Sequence, residues 1–288
     1  TEVGREIARA VAQSGRPLVA QSMYHQAPPN LALREGGVPV YATIEAAVAV
    51  LAALREMSAA RPPAPLPPPA PEPIDDSYFG SRDLLAAAGV PFVAARRVTD
   101  EQEALEAAEE VGSPVVLKAL GLLHKSDAGG VKVGIADAEA LAWEWGDMQQ
   151  RLVPPECSIE AMAPLSEGVE LIVGARRDAR FGPVAVVGLG GIYAELLEDI
   201  AVGLAPLDQE EAERLLRSLR GAALLEGARG RPPLDVAAAA GAAVALSQLA
   251  ATRPDIAEIE INPLLVTPHG ALGLDARVIP AEGGSDAG

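Results

Sequence analysis

The sequence predicts a fold of mixed α/β and α+β character, built in two unequal pieces. Three observations carry that prediction. Eight prolines crowd Ala59–Pro73, an extended polyproline spacer that separates a short leading piece from a long trailing one. Beyond it, strand-like runs and amphipathic helices follow one another without the strict alternation that a single parallel sheet requires. Apolar residues make up 49% of the chain and aromatics only 3%, so the core is expected to be Ala, Val and Leu packed against small side chains.

The leading piece starts with a short strand, Pro17-Leu18-Val19-Ala20-Gln21, followed by a loop and a second extended step, Val38-Pro39-Val40-Tyr41. A helix runs from Thr43, its N-cap, to about Met57, with Ile44, Val48, Leu51 and Leu54 as its apolar stripe. Strand, loop, strand and helix cannot close a sheet in so short a span. The piece reads as the last units of a doubly wound α/β domain.

The trailing piece opens with a helix near Ser81–Ala88, stopped by Gly89, and a strand at Phe92–Val98. Thr99-Asp100-Glu101-Gln102 reads as a capping box for a helix that ends at Val111 before Gly112. Strands are expected at Val115–Ala119 and Val131–Ile135, then a helix at Ala138–Leu152. Further strands follow near Ser158–Ala161, Val169–Arg176 and Val184–Gly188. Helices at Gln209–Leu219 and Asp235–Ala251 precede a final hairpin, Glu258–Thr267 and Ala271–Val278, turned by His269-Gly270.

A net charge of −17 excludes nucleic acid as a partner, because no basic face exists to neutralise its phosphates. The single cysteine, Cys157, rules out an internal disulfide framework and fits a cytoplasmic protein. No basic-then-apolar leader points to export, and the uncharged run Val236–Thr252 is too short and too weakly apolar for a membrane span.

The chemistry concentrates in one segment. The chain holds three lysines against twenty arginines, and the three are Lys118, Lys125 and Lys132, with His124 and Gly129-Gly130 among them. A lysine ammonium is a compact charge suited to phosphate, and a glycine pair lets backbone N–H groups approach one. No P-loop motif occurs, and Gly188-Leu189-Gly190-Gly191-Ile192-Tyr193 has Tyr where a dinucleotide fingerprint needs its third glycine. That glycine turn still stands at the end of an apolar strand, followed by Glu195, Glu198 and Asp199. Glu258, Glu260 and Asn262 share one face of an alternating strand, and a hairpin brings Asn262 beside Asp275. Two oxygen ligands that leave room for water and phosphate suit Mg²⁺. Glu170 lies in an otherwise apolar strand, with an ion pair to Arg176 or Arg177 as its structural explanation. His25 and His269 read as loop residues and Cys157 as a small core residue.

Taken together, these blocks resemble the ATP-grasp module of the ADP-forming (NDP-forming) acyl-CoA synthetases, to which the succinyl-CoA ligase β-subunit is related. The resemblance rests on Gly112-x-Pro114-Val115-Val116-Leu117-Lys118, Leu123-His124-Lys125-Ser126-Asp127-x-Gly129-Gly130-Val131-Lys132 and Gly168-Val169-Glu170-x-Ile172-Val173-Gly174. It continues through Arg177-Asp178-x-x-Phe181-Gly182-Pro183, Gly188-x-Gly190-Gly191, Pro206-Leu207 and Glu260-x-Asn262-Pro263-Leu264. It implies an ATP-grasp fold over residues 75–280, preceded by the C-terminal end of a flavodoxin-like (succinyl-CoA-ligase-like) domain over 1–58, a linker at 59–74 and a tail at 281–288.

The resemblance also implies roles. Lys118, and Lys125 with it, would bind nucleotide phosphates, Glu160 and Met162 would bracket the adenine hinge, and Glu170 would hold ribose or organise the site. Gly190 and Gly191 would close over phosphate, and Asn262 and Asp275 would hold Mg²⁺. His124 matches the position of a phosphoryl-relay histidine. The implied reaction converts acyl-CoA, phosphate and ADP reversibly into acid, CoA and ATP by way of phosphohistidine.

Two departures stand out. The loop between Lys118 and His124 is about two residues short of the family pattern. The family's CoA-binding domain and its principal phosphohistidine segment are not in the sequence, so CoA and the carboxylic acid would be handled by other domains or a partner subunit, and the chain alone would be incomplete as a ligase. The family's habit of dimerising is compatible with a homo-oligomer. The alternative function is a ligand-sensing regulatory module of a protein acetyltransferase that has lost ligase activity.

Overall fold

The structure, a computed structural model, describes residues 2–59, 74–121, 129–191, 199–227 and 230–281. Residues 60–73 of the proline-rich spacer, His124, Lys125, Glu195 and Glu198 lie outside these residues. The chain divides into two compact units, Thr1–Pro62 and Pro63–Gly288. Among the described residues no helix is long and apolar enough to cross a membrane.

The first unit runs α1 (Glu2–Ser14), β1 (Ala20–Gln21), α2 (Pro28–Glu35), β2 (Val40–Tyr41) and α3 (Ile44–Ala59). β1 and β2 pair in parallel, Ala20 opposite Val40, around a core of Ala8, Leu33, Val38 and Val40. Two helices are present that the sequence reading passes over, although Val3, Ile7 and Val11 give α1 helical spacing. α1 buries only Gly4 and Ala8, while Val3 and Ile7 stay exposed. A side chain at Gly4 would strike the Pro29 carbonyl, so small residues set how closely α1 and α2 approach. α2 occupies the expected loop and starts on Pro28-Pro29, where a missing N–H costs nothing. Thr43 caps α3 by accepting the Ala46 N–H at 3.2 Å. The stripe Ile44, Val48, Leu51 and Leu54 does not enter this unit's core. All four side chains are exposed, and α3 buries Ala47 instead.

The second unit begins with α4 (Tyr78–Ala87), β3 (Ala95–Val98), α5 (Glu101–Val111), β4 (Val115–Leu120), β5 (Val131–Ile135), α6 (Ala138–Leu152) and β6 (Glu156–Ala161). These strands form an antiparallel sheet in the order β3-β6-β4-β5. One face, with Val115, Leu117, Ala119, Cys157 and Ile159, packs on Ala104 and Ala107 of α5 and Leu141, Trp145 and Met148 of α6. Strand alternation therefore turns Val116, Lys118, Ser158 and Glu160 to the other face. The cap of α5 is shifted by one from the expected box. Asp100 accepts the Glu103 N–H at 2.8 Å, and the Glu103 carboxylate returns to the Thr99 N–H at 2.8 Å.

The larger sheet contains β7 (Val169–Asp178), β8 (Gly182–Leu189), β9 (Ile200–Leu204), β10 (Ile256–Thr267), β11 (Gly270–Gly273) and β12 (Ala276–Pro280), ordered β11-β10-β7-β8-β9 with β12 also on β10. α7 (Gln209–Ser218) and α8 (Val236–Thr252) cover one face. There Leu216 and Leu246 meet Leu171, Val173 and Val187, and the alanines Ala239, Ala240 and Ala243 let α8 lie close against the strands. The sequence misses β9 because its apolar residues point outward. Ile200, Val202 and Leu204 are exposed, while Ala201 and Gly203 face in. The single second arm expected for the last hairpin is two strands, broken at Leu274-Asp275. β11 pairs with Leu264–Thr267 and β12 with Ile256–Ile261.

Candidate functional site

Lys118 is the centre of the site. Its neighbour across the ladder is Ser158, and Glu160 is opposite Val116, so three polar side chains share the face that α5 and α6 leave uncovered. Lys118 is 7% exposed and Glu160 1%. Burial at that level demands that both charges be paired and hydrogen-bonded. The Lys118 ammonium is 2.9 Å from Glu160 Oε2 and donates to the Leu274 carbonyl at 2.6 Å.

Helix α4 supplies the rest of the cluster. Ser77 caps it by accepting the Gly80 N–H at 3.1 Å, and Ser81 Oγ accepts the Val278 N–H at 3.1 Å, which ties the helix to β12. Tyr78 and Arg82, one turn apart, therefore face the same spot. The Tyr78 hydroxyl donates to Glu160 Oε1 at 2.5 Å, and Ser158 Oγ donates to the same oxygen at 2.7 Å. Arg82 Nη1 donates to the Tyr78 oxygen at 3.0 Å and is 3.5 Å from Glu160 Oε2. Its Nη2 donates to the Val93 carbonyl, and its guanidinium covers the Phe92 ring at 5.0 Å. Burial, reinforced by the negative charges of Glu160 and Asp275, pushes the Tyr78 phenol well above its ordinary range. Two cations, Lys118 and Arg82, thus converge on the Glu160 carboxylate, with the Asp275 charge close enough to act on the same phenol.

Across from this cluster, the Asn262 N–H donates to the Asp275 carbonyl at 3.1 Å, and the Leu274 N–H donates to the Pro263 carbonyl at 3.0 Å. Asn262 is exposed and Asp275 partly so. Burial, then the Glu258 charge and, against the opposing pull of Arg277, Asp275, raise the Glu260 carboxyl above the usual range. A cation would relieve that repulsion. Among the described residues no three His, Cys, Asp or Glu converge on one point. Backbone pairing places Asn262 and Asp275 next to one another, each with an oxygen-bearing side chain.

The glycine turn closes β8 against β7. The Gly190 N–H donates to the Glu170 carbonyl at 2.7 Å. A side chain at Gly190 would lie 3.0 Å from the Glu170 backbone, and one at Gly191, where φ is +60°, would collide with Glu170 Oε2. Packing against the Glu170 backbone favours glycine at 190, the left-handed φ favours it at 191, and the Glu170 carboxylate lies at the turn. Glu170 makes no ion pair with the arginines proposed for it. Arg177 instead donates to the Ala250 and Arg253 carbonyls at 2.7 and 3.2 Å, at the end of α8.

Of the expected residues, the structure brings together Lys118 and Glu160, Asn262 and Asp275, and Glu170 with Gly190 and Gly191. Met162 follows the end of β6, half-buried. Lys132 is on the opposite face from Lys118, held by Glu144 at 2.7 Å and Asp147 at 3.7 Å on α6, so its ammonium serves that helix. Asp199 is equally structural. Its carboxyl is held low, although burial opposes this, by the N–H groups of Gly221 and Arg220 at 2.7 and 2.8 Å. The sequence reading missed Tyr78, Arg82 and Ser158. A helical i, i+4 pair of Tyr and Arg, and a Ser-x-Glu repeat in an otherwise apolar strand, are the signals that find them.

A family model described as an ATP-grasp domain matches residues 77–279. The chain is 36% identical over 208 residues to the acetate–CoA ligase [ADP-forming] I β-subunit of Pyrococcus furiosus, covering 69% of this chain and 89% of that one. A trans-feruloyl-CoA synthase from an unknown prokaryotic organism is 33% identical over 264 residues, covering 86% of this chain and 37% of the relative. The chain thus spans nearly all of that β-subunit and little over a third of the trans-feruloyl-CoA synthase. Among solved structures, the dinucleotide-forming acetyl-coenzyme A synthetase 1 of Ca. Korarchaeum cryptofilum, in complex with coenzyme A and Ca-AMPCP, superposes with a TM-score of 0.67 at 32% identity. That match covers 71% of this chain and 93% of the other.

Proposed function

This chain belongs to the ATP-grasp family, and we propose that it is the nucleotide-binding, phosphoryl-transferring portion of an ADP-forming acyl-CoA synthetase. The observation that carries the reading is the buried Lys118 ammonium, placed between the small sheet and the residue before Asp275. In this reading Lys118 exchanges the Leu274 carbonyl for a nucleotide phosphate. Segment 160–162 forms the adenine hinge, with the Glu160 side chain kept for Lys118. Glu170 faces the ribose, and the Gly190-Gly191 turn covers phosphate. Asn262 and Asp275 hold Mg²⁺, which when bound would neutralise charge on the phosphate oxygens. The role of His124 as phosphoryl relay, and of Lys125 beside it, remains part of the proposal on sequence alone.

The remaining chemistry belongs elsewhere. The relative from Pyrococcus is named a β-subunit, and another solved complex of the Korarchaeum enzyme has a phosphohistidine segment pointing towards its nucleotide-binding site. We assign CoA and acid binding, and the principal phosphohistidine, to other domains of the same protein or to a partner subunit. The parallel β1–β2 pair with α2 as its crossover supports the first unit as the end of a flavodoxin-like domain. A cytoplasmic setting fits the single, buried thiol. No observation favours the acetyltransferase-linked sensor.

Calorimetric titration with Mg-ADP and Mg-ATP tests the reading, with Lys118→Ala and Asp275→Ala as controls. Mg²⁺-dependent binding that both substitutions abolish is expected. Heat-free titration of the folded wild-type chain would overturn the reading.

A further inference from the structure

Tyr78 stands between the two sheets without belonging to either. Its single proton goes to Glu160 Oε1 at 2.5 Å, the charged acceptor, in preference to the Leu274 carbonyl at 3.4 Å. The oxygen's lone pairs then receive Arg82 Nη1 at 3.0 Å and Lys118 Nζ at 3.3 Å. The ring edge packs on Phe79, centroids 5.3 Å apart, and Lys118 is 5.5 Å from the Tyr78 ring centroid. Every bonding capacity of the hydroxyl is used, and each bond ends on a group that determines where the Lys118 charge sits.

A carboxylate between two cations can rotate, and either oxygen can face either partner. Here Tyr78 and Ser158 both donate to Oε1, which leaves Oε2 for Lys118 at 2.9 Å and Arg82 at 3.5 Å. We infer that Tyr78 is a positioning residue for phosphate recognition: its hydroxyl locks the Glu160 carboxylate and so fixes the Lys118 ammonium where a nucleotide phosphate arrives. The inference rests on the nucleotide reading above. Lys118 contacts Glu160 of its own sheet, Tyr78 of α4 and the Leu274 carbonyl between β11 and β12. Binding of phosphate replaces the Leu274 contact while Glu160 and Tyr78 hold the ammonium in place. Substrate would touch Lys118 and not Tyr78.

The full chain is titrated calorimetrically with Mg-ADP and, separately, with adenosine, which lacks the phosphates. Tyr78→Phe keeps the ring and is expected to weaken Mg-ADP on the order of tenfold while adenosine is little changed. Ser158→Ala, which removes the other donor to Oε1, moves the same ratio in the same direction by less, and keeps the test open if Tyr78→Phe does not fold. Phe79→Leu disturbs the packing of α4 without touching the hydroxyl and leaves the ratio as in wild type. Equal weakening of both ligands by Tyr78→Phe, or a selective loss in Phe79→Leu, would mean a merely structural role and overturn the inference. A wild type that binds Mg-ADP while Tyr78→Phe and Ser158→Ala keep its ratio overturns the inference alone. A folded wild type that binds neither ligand removes the nucleotide reading and the inference together.

Discussion

The Lys118 ammonium donates to the Leu274 carbonyl at 2.6 Å, so a strand of the small sheet is latched to the residue that precedes Asp275. Lys118, the proposed phosphate ligand, and one arm of the proposed metal site are therefore linked by a hydrogen bond. An anion that replaces the Leu274 carbonyl at Lys118 removes this tie, while the Pro263 and Asn262 backbone bonds still hold the segment that carries Asp275.

Lys118→Met leaves Glu160 buried with one fewer cation. Loss of one partner of a buried pair costs roughly 3 kcal/mol, which urea unfolding would read as a lowered midpoint with an unchanged slope. Glu160→Gln, which takes the carboxylate from both Lys118 and Arg82, is expected to lower the midpoint further than Lys118→Met, which leaves Glu160 with Arg82. A Glu160→Gln midpoint above that of Lys118→Met would contradict the pairing.

Tyr78 is expected to remain a neutral phenol in the native protein at pH 11. Its folded pKa is raised, so its contribution to stability is fully present below the unfolded value near 10 and is lost as pH climbs through the folded one. Tyrosinate absorbance of native wild type and Tyr78→Phe should therefore coincide up to pH 11 and separate on denaturation.

Cys157 is a built-in reporter. Burial, with the Glu156 charge, raises its thiol to about 11, and no other cysteine interferes. The thiolate is the reactive form. A chromogenic disulfide reagent at pH 8 should react slowly with the native chain and rapidly in denaturant. Rapid native labelling would place the thiol outside the core.

The two glycines of the β8 turn should differ in tolerance. Gly191→Ala meets a mobile carboxylate end and a left-handed φ, at a cost of about 1 kcal/mol. Gly190→Ala presses on the Glu170 backbone, which cannot swing aside, and should cost more. Thermal melts of the two variants order them directly.

Much of this fold was legible because its signals are local. β5 matches the bounds read for it, α6 does as well, and Thr43 caps α3 as its position suggests. Two elements escaped for different reasons. α1 has helical spacing in Val3, Ile7 and Val11 but is anchored by Gly4 and Ala8 instead, and β9 turns its large side chains outward, so it lacks the pattern of a core strand. The site divides in the same way. Lys118 was found by rarity and Asn262 by strand alternation, whereas Tyr78 acts at a residue separation of 82 from Glu160, a proximity that only the tertiary fold creates. Lys132 shows the converse, since adjacency in sequence put it on the wrong face of the sheet.

Among the described residues, the first unit's core cluster is Ala8, Leu33, Val38 and Val40, around a two-stranded sheet. So little buried surface stabilises a domain weakly, and two strands alone are marginal in water. The chain should accordingly melt in two stages. Amides of Glu2–Ala59 would exchange with solvent first, protected by only a fraction of the global free energy, while β10, paired along both edges, sets the slowest exchange. A single melting temperature for this polypeptide would then describe neither unit, and its calorimetric trace would show a shallow shoulder ahead of the main peak.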